Sequence, residues 1–309
     1  MKILLLGKNG QVGWELQRSL APLGELIAVD YRSEGNPPID GVALQGDFSQ
    51  PEQLRDTVQR VQPHVIVNAA AHTAVDKAES EPELARALNA TAVGVLAEEA
   101  ERMGAALVHY STDYVFDGSG NRPWLETDAP APLNVYGQTK LEGEQLVQRH
   151  CTRHLIFRTS WVYAARGNNF AKTMLRLGRE RDTLSVINDQ YGAPTGAELL
   201  ADVTAHAIRH LLRDASCAGL YHLVAGGETT WHGYASHVLA RARQAGLPIQ
   251  VAADAIHPVA TSAFPTPARR PHNSRLDTHK LQTTFGLTLP HWQTGVDRML
   301  AEILEGQAA

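Results

Sequence analysis

Tyr136 and Lys140 stand four positions apart in Tyr136-Gly137-Gln138-Thr139-Lys140, inside a helical pattern running from Asn134 to Arg149. Positions i and i+4 share one helix face, so the phenol and the ammonium are neighbours. A free phenol has a pKa of about 10 and is a poor acid or base near neutrality. A neighbouring ammonium favours the phenolate and draws that pKa toward the working range. Tyrosine and lysine at this spacing recur on ordinary surface helices, so the pair needs companions. One lies upstream, where an apolar run ends in Tyr110-Ser111-Thr112-Asp113-Tyr114-Val115-Phe116. A hydroxyl at Ser111 or Thr112 is where a donor that polarises a carbonyl belongs.

Hydride chemistry needs a place for a dinucleotide. The run Met1 to Leu6 leads into Gly7-Lys8-Asn9-Gly10-Gln11-Val12-Gly13 and then straight into a helix. Glycines permit the tight turn and bring backbone N–H groups to a pyrophosphate at the positive end of that helix. Asp30 closes the next strand about twenty residues on, where an acid suits the adenosine ribose 2′-OH. Arg32 instead suits a 2′-phosphate, so the choice between NADPH and NADH stays open. Asp47-Phe48 sits where a third strand would end, beside the adenine. Asn68-Ala69-Ala70-Ala71 closes the fourth with small residues that let the cofactor backbone lie close. Successive C-terminal strand edges of this kind point to one crevice.

The elements that must hold these residues alternate. Lys2 to Leu6, Leu26 to Asp30, Val65 to Asn68, Ala106 to Ser111 and Leu155 to Arg158 read as buried strands. Gln11 to Leu20, Pro51 to Val61, Pro82 to Met103 and Asn134 to Arg149 read as helices between them. Crossovers of this kind predict an α/β fold, a doubly wound parallel (Rossmann) sheet with a smaller, mixed C-terminal substrate-binding domain. The expected division is 1–163 for the dinucleotide, completed by parts of 196–225, and 164–309 mainly for substrate. Pro258 to Pro271 reads as a loop held against something rather than a hairpin, and a last amphipathic helix spans about Gln293 to Glu305.

A chain of 309 residues suggests one large domain plus a smaller one. The net charge of −5 and pI near 6.3, with no basic block, argue against a nucleic-acid partner. The opening apolar run is too short for a signal segment, and no stretch is long enough to span a bilayer. Cys151 and Cys217 have no metal or redox spacing, which makes a reducing cytoplasm the expected compartment. His206 and His210 share the i, i+4 spacing of a zinc pair but lack a third ligand, and read as an ordinary helix face. The acidic run Asp76 to Glu83 reads as a solvated helix start.

Taken in order, these motifs resemble the extended short-chain dehydrogenase/reductase family. Within it, Asn68 to Asp76, Ser111 to Phe116, Arg158-Thr159-Ser160-Trp161-Val162-Tyr163, Asp189 to Thr195 and Arg269 to Leu276 are similar to the dTDP-4-dehydrorhamnose reductases, over nearly the whole chain. The resemblance implies Thr112 as the hydroxyl donor, with Asp113 beside it at the substrate. It implies Tyr136 as proton donor and Lys140 as the group holding cofactor and tyrosine. Trp161 would pack on a deoxysugar, and Asn169 and Arg270 would meet the nucleotide and pyrophosphate, a role Arg269 or Arg275 could equally fill. A homodimer is implied too, with magnesium held by Glu15, Glu198 and Glu302 at the interface. The implied reaction is reduction of the C4 ketone of dTDP-4-dehydro-6-deoxy-L-mannose to dTDP-L-rhamnose by NADPH or NADH, for polysaccharide synthesis. Two alternatives share the fold. One is a nucleotide-sugar epimerase or dehydratase, although Asp113 is followed by Tyr114 and not by the second carboxylate of a dehydratase. The other is a non-enzymatic regulatory subunit like that of methionine adenosyltransferase, against which the intact Thr112, Tyr136 and Lys140 argue.

Overall fold

The structure, a computed structural model, describes residues 1–308, with side chains described through residue 304. Its centre is a six-stranded sheet of β1 (Lys2–Leu6), β2 (Glu25–Val29), β3 (Val65–Asn68), β4 (Ala106–Thr112), β5 (His154–Thr159) and β6 (Gly219–His222). All pairings are parallel, in the order β6-β5-β4-β3-β1-β2. The strands are near-continuous apolar runs because both faces are covered. Ile3, Leu5, Val65, Val67 and Val108 face α1 (Gln11–Leu20) and α6 (Ala197–Arg213). The alternate residues Leu4, Leu6, Ile66, Leu107 and Ile156 face α2 (Pro51–Val61), α3 (Ala92–Met103) and α4 (Val135–His150). The sheet is wound outward from β1 in both directions, so the crevice lies at the C-terminal ends of β1 and β3.

Three expectations change. The strand expected to end at Asp47 does not join the sheet: only Val42–Ala43 is extended, in a hairpin with Pro38–Ile39. The buried Asn36 amide takes its place in the ladder, donating to the carbonyls of Asp30 and Leu44. The helix expected over Pro82 to Met103 is broken into Pro82–Arg86, a π-helical turn at Ala87–Thr91 and α3. That wide turn directs Asn89 inward, where it bonds the backbone of His72 and the hydroxyl of Thr139. The acidic run is not simply solvated: Asp76 pairs with Arg270 at 2.6 Å, and Glu79 accepts the Val135 N–H at 2.8 Å.

The second half supplies α6 and β6 to the main sheet, then builds its own small core. Short parallel pairs join Leu184–Ile187 to Ile256–Val259 and Val162–Tyr163 to Thr195–Gly196. Around them α5 (Phe170–Glu180), α7 (Trp231–Gln244) and α9 (Trp292–Ala308) bury Met174, Tyr234, Val238, Trp292 and Val296, with α8 (His279–Phe285) between α7 and α9 in the chain. His206 and His210 sit on α6 with ring centroids 4.6 Å apart, and His206 is bonded to the Phe285 carbonyl. Among the described residues no helix is long and apolar enough to cross a membrane.

Candidate active site

The turn after β1 works because three backbones pass almost in contact. Gly7 has φ +86°, and a Cβ there would lie 2.8 Å from the Ala70 nitrogen. A Cβ on Gly13 would come within 2.0 Å of the Gly7 carbonyl oxygen. These two glycines therefore seat α1 against β1 and β3. Gly10, the residue that caps α1, has room above it: a Cβ there would meet nothing nearer than the Gly7 oxygen at 3.4 Å. Asp30 is buried at the end of β2, accepting the N–H of Asn9 at 3.0 Å and of Tyr31 at 2.9 Å. One acid thus ties the glycine turn to the neighbouring strand while facing the same space.

That space is a cavity of about 910 Å³. Its walls include Gly7, Asn9, Gly10, Gln11, Val12, Asp30, Asp47, Phe48 and Ala69 to Ala71 at one end. Thr112, Asp113, Tyr136, Lys140 and Trp161 line it at the other. The open cradle at Gly10 and the buried acid at Asp30 fit a dinucleotide, with donors for a pyrophosphate and an acceptor for a ribose.

Tyr136 is placed by the start of α4. Asn134 caps the helix, its Oδ1 accepting the Gly137 N–H at 2.8 Å while its Nδ2 donates to the Arg269 carbonyl at 2.8 Å. Gly137 lies flat on β4's continuation, since a Cβ would fall 2.1 Å from the Tyr114 oxygen. The Tyr136 hydroxyl is thereby brought to Thr112, and its ring meets Tyr114 edge-on with centroids 5.5 Å apart. Burial pushes the Tyr136 phenol above its ordinary pKa, so it stands protonated at neutral pH. Thr112 Oγ1 donates to Asp113 Oδ1 at 3.0 Å and accepts the Tyr114 N–H at 3.2 Å. Burial lifts the Asp113 carboxyl to about 6, and its Oδ2 has no protein partner. Burial likewise lowers Lys140 to about 8, with Glu144 opposing. The arrangement offers a proton donor, a hydroxyl and a carboxyl beside a dinucleotide-shaped cavity.

Trp161 has φ +50°, a left-handed backbone that a bulky residue adopts only when its surroundings impose it. Its ring stacks on Trp231 at 3.7 Å between centroids, and a Cβ at Gly192 would come within 2.8 Å of it. Four expected residues are not on the cavity wall. Gly13 packs against Gly7. Arg32 is exposed, its Nε donating to the Tyr31 hydroxyl at 2.7 Å. Asn169 caps α5 and donates to Gln11 Oε1 at 3.3 Å, on the glycine-turn side of the cavity. Arg270 is held by Asp76 and by the Tyr114 hydroxyl at 3.3 Å, just behind the wall. Glu198 is half-buried, and burial raises its carboxyl pKa; Arg298 opposes this, while Glu15 and Glu302 add to it. Glu15 and Glu302 thus each act on Glu198 through space. Among the described residues, however, no group of three or more His, Cys, Asp or Glu is arranged to hold a metal ion, so the single chain does not complete a magnesium site.

The profile of the RmlD substrate binding domain family matches residues 1–305. The chain belongs to this family. A dTDP-4-dehydrorhamnose reductase of Shigella flexneri is 64% identical over 303 residues, 98% of each chain, and one of Escherichia coli K12 is 63% identical over the same length. The solved dTDP-4-dehydrorhamnose reductase of Clostridium acetobutylicum superposes with a TM-score of 0.86 at 34% identity, covering 98% of this chain and 99% of that one. The Bacillus anthracis reductase in complex with NADP gives 0.83 at 35% identity, covering 97% and 99%. The extended dehydrogenase/reductase architecture expected from the motifs is thus that of the family.

Several wall residues escape sequence reasoning. Leu84 and Leu88 line the cavity from the broken helix and Val75 from the short helix Val75–Ser80 before it, on either side of the acidic run. Trp231 reaches the wall from α7 without any motif around it; only an aromatic just after Thr229-Thr230, at a helix start, marks the position.

Proposed function

We propose that this chain reduces the C4 ketone of dTDP-4-dehydro-6-deoxy-L-mannose to dTDP-L-rhamnose with NADPH or NADH. The observation that carries the reading is the convergence of Thr112, Tyr136 and Lys140 at one end of a cavity whose other end is the glycine turn. Relatives at 63–64% identity over nearly the full chain support the substrate. The bound nicotinamide supplies the hydride. Tyr136, protonated through its burial, gives its proton to the developing C4 alkoxide, and the Thr112 hydroxyl turns from Asp113 to donate its one hydrogen bond to the same oxygen. Asp113 Oδ2, lacking a protein partner, accepts from a sugar hydroxyl. Trp161 offers an apolar face to the deoxysugar. Residues 1–163, with parts of 196–225, hold the dinucleotide, and 164–309 shape the substrate end. Asp30 takes the adenosine ribose, and Arg32 swings to a 2′-phosphate when one is present. Arg270 and Asn169 meet the nucleotide end of the substrate.

A homodimer fits the same reading, with Glu15, Glu198 and Glu302 of two chains gathered about a two-fold axis and magnesium offsetting their repulsion. No step of the reduction passes through that ion. The cytoplasm is the compartment we assign, in keeping with two free thiols at Cys151 and Cys217. The deciding experiment is NADPH oxidation on addition of the dTDP-keto sugar. Turnover with stoichiometric loss of NADPH supports the reductase. Tightly held NAD⁺ without net oxidation favours an epimerase or dehydratase, and inertness favours a regulatory subunit.

A further inference from the structure

Lys140 touches β4 at two points. Its Nζ donates to the Tyr110 carbonyl at 2.5 Å and lies 3.3 Å from Nε2 of His109. His109 is 1% exposed, and its other ring nitrogen, Nδ1, is 3.1 Å from the side-chain nitrogen of Asn68. Asn68 closes β3 in register with His109. The direction of its amide is decided by a second bond, because Oδ1 takes the Ala70 backbone N–H at 3.0 Å and a backbone N–H can only donate. The NH₂ end therefore faces Nδ1, which must accept. Burial first, and the Lys140 charge second, hold the His109 pKa well below its ordinary value, so the ring carries one proton. That proton belongs on Nε2 and points at Nζ.

An ammonium has donors only, so it would meet the Nε2–H donor to donor. An amine has a lone pair for that N–H, one hydrogen for the Tyr110 carbonyl and one left for the cavity. We propose that Asn68 locks His109 in the Nε2–H tautomer, and that His109 is thereby a positioning residue that destabilises the ammonium of Lys140 in favour of the amine before cofactor binds. The other charged groups around Lys140 do not offset this. Glu144, one turn further along α4, favours the ammonium, but Arg158 of β5 takes both its oxygens at 2.6 and 2.9 Å. Tyr110 of β4 is bonded to Thr204 of α6 at 2.6 Å, and burial keeps its phenol neutral. Asn89 and Thr139 bring no charge, while Asp113 lies beside Tyr136 and raises the phenol further. Burial acts on Lys140 in the same direction as the histidine. A Lys140 that gives up its charge more readily draws the phenol down less, so Tyr136 keeps the proton that a reduction needs. This consequence rests on the proposed role of Tyr136; the tautomer does not.

The tautomer is read directly by long-range ¹H–¹⁵N correlation on histidine-labelled, cofactor-free enzyme, the His109 signal being the one lost in His109→Gln. An unprotonated Nδ1 and a protonated Nε2 are expected from about pH 6 to 9. The opposite tautomer, or an imidazolium in that range, overturns the proposal. The consequence is read on ¹³Cε-labelled lysine, with Lys140→Met as the assignment control. His109→Gln should raise the Lys140 midpoint by about one unit or more, and move the alkaline limb of kcat/KM for reduction to lower pH. A purely structural contact would lower the rate across the profile and leave both positions unmoved, which also overturns the proposal. If His109→Gln does not fold, Asn68→Leu frees the tautomer without changing charge and must raise the same midpoint. Failure of the unsubstituted enzyme to oxidise NADPH would refute the reductase reading alone, because the two spectroscopic readouts do not use turnover.

Discussion

Replacing Tyr136 by phenylalanine isolates the proton donor, because the structure confines the damage to one hydroxyl. That hydroxyl faces Thr112, whose Oγ1 already donates to Asp113 and accepts from the Tyr114 N–H, so the change strands no buried partner. Fold stability should move by less than about 1 kcal/mol, and the cofactor turn around Gly10 is untouched. General acid help is worth roughly 10²–10⁴-fold, equivalent to about 2.7–5.5 kcal/mol of barrier. Steady-state NADPH oxidation should therefore show kcat falling by at least about 100-fold, while NADPH affinity measured by fluorescence stays as it was. Asp113 adds a finer expectation. Its carboxyl pKa is raised to about 6, so its protonated fraction grows as pH falls through that value. With the phenol gone, Asp113 is the nearest remaining acid, and the residual rate should climb on the acidic side of about 6. A loss of kcat below about tenfold, or an equal loss of cofactor affinity, would refute the assignment.

Other expectations follow from single contacts. Gly13→Ala places a Cβ 2.0 Å from the Gly7 oxygen, and should abolish NADPH binding in a fluorescence titration while the circular dichroism of the remaining fold persists. Glu144→Gln leaves Arg158 buried without its charge partner and should cost about 3–5 kcal/mol in urea unfolding, whereas Glu144→Met with Arg158→Met should recover most of it; equal losses would contradict the buried-pair account. Arg32→Ala should lower kcat/KM for NADPH more than for NADH, and equal losses would remove Arg32 from the 2′-phosphate. Chelator should weaken a dimer in sedimentation without changing NADPH affinity; an unchanged dimer and no metal in the purified protein would leave Glu15, Glu198 and Glu302 as ordinary carboxylates.

Much of the glycine-turn end of the cavity is legible in the chain, and the reason is local. Gly7, Asp30 and Ala69 to Ala71 each sit where a strand stops, with Gly13 in the first turn of the helix that follows, and strand periodicity plus small or acidic residues marks such stops without knowledge of neighbours. Tyr136 and Lys140 are legible for the same reason, since helix geometry alone makes i and i+4 adjacent. The strand expected before Asp47 fails because nothing local announces that Asn36, six residues past Asp30, will occupy the ladder by a side chain. The π turn at Ala87–Thr91 stays hidden because its sequence suits an α-helix; what widens it is Asn89 reaching across to His72 and Thr139. Trp231 and Trp161, 70 positions apart, become one stacked platform only through packing. Likewise the state of Lys140 depends on Asn68 and His109, on two strands distant in sequence, because protonation answers to whatever donors and acceptors share a buried volume. Periodicity and end-of-strand chemistry are carried by neighbours along the chain, whereas ladder partners, ring stacks and charge states are set by neighbours in space.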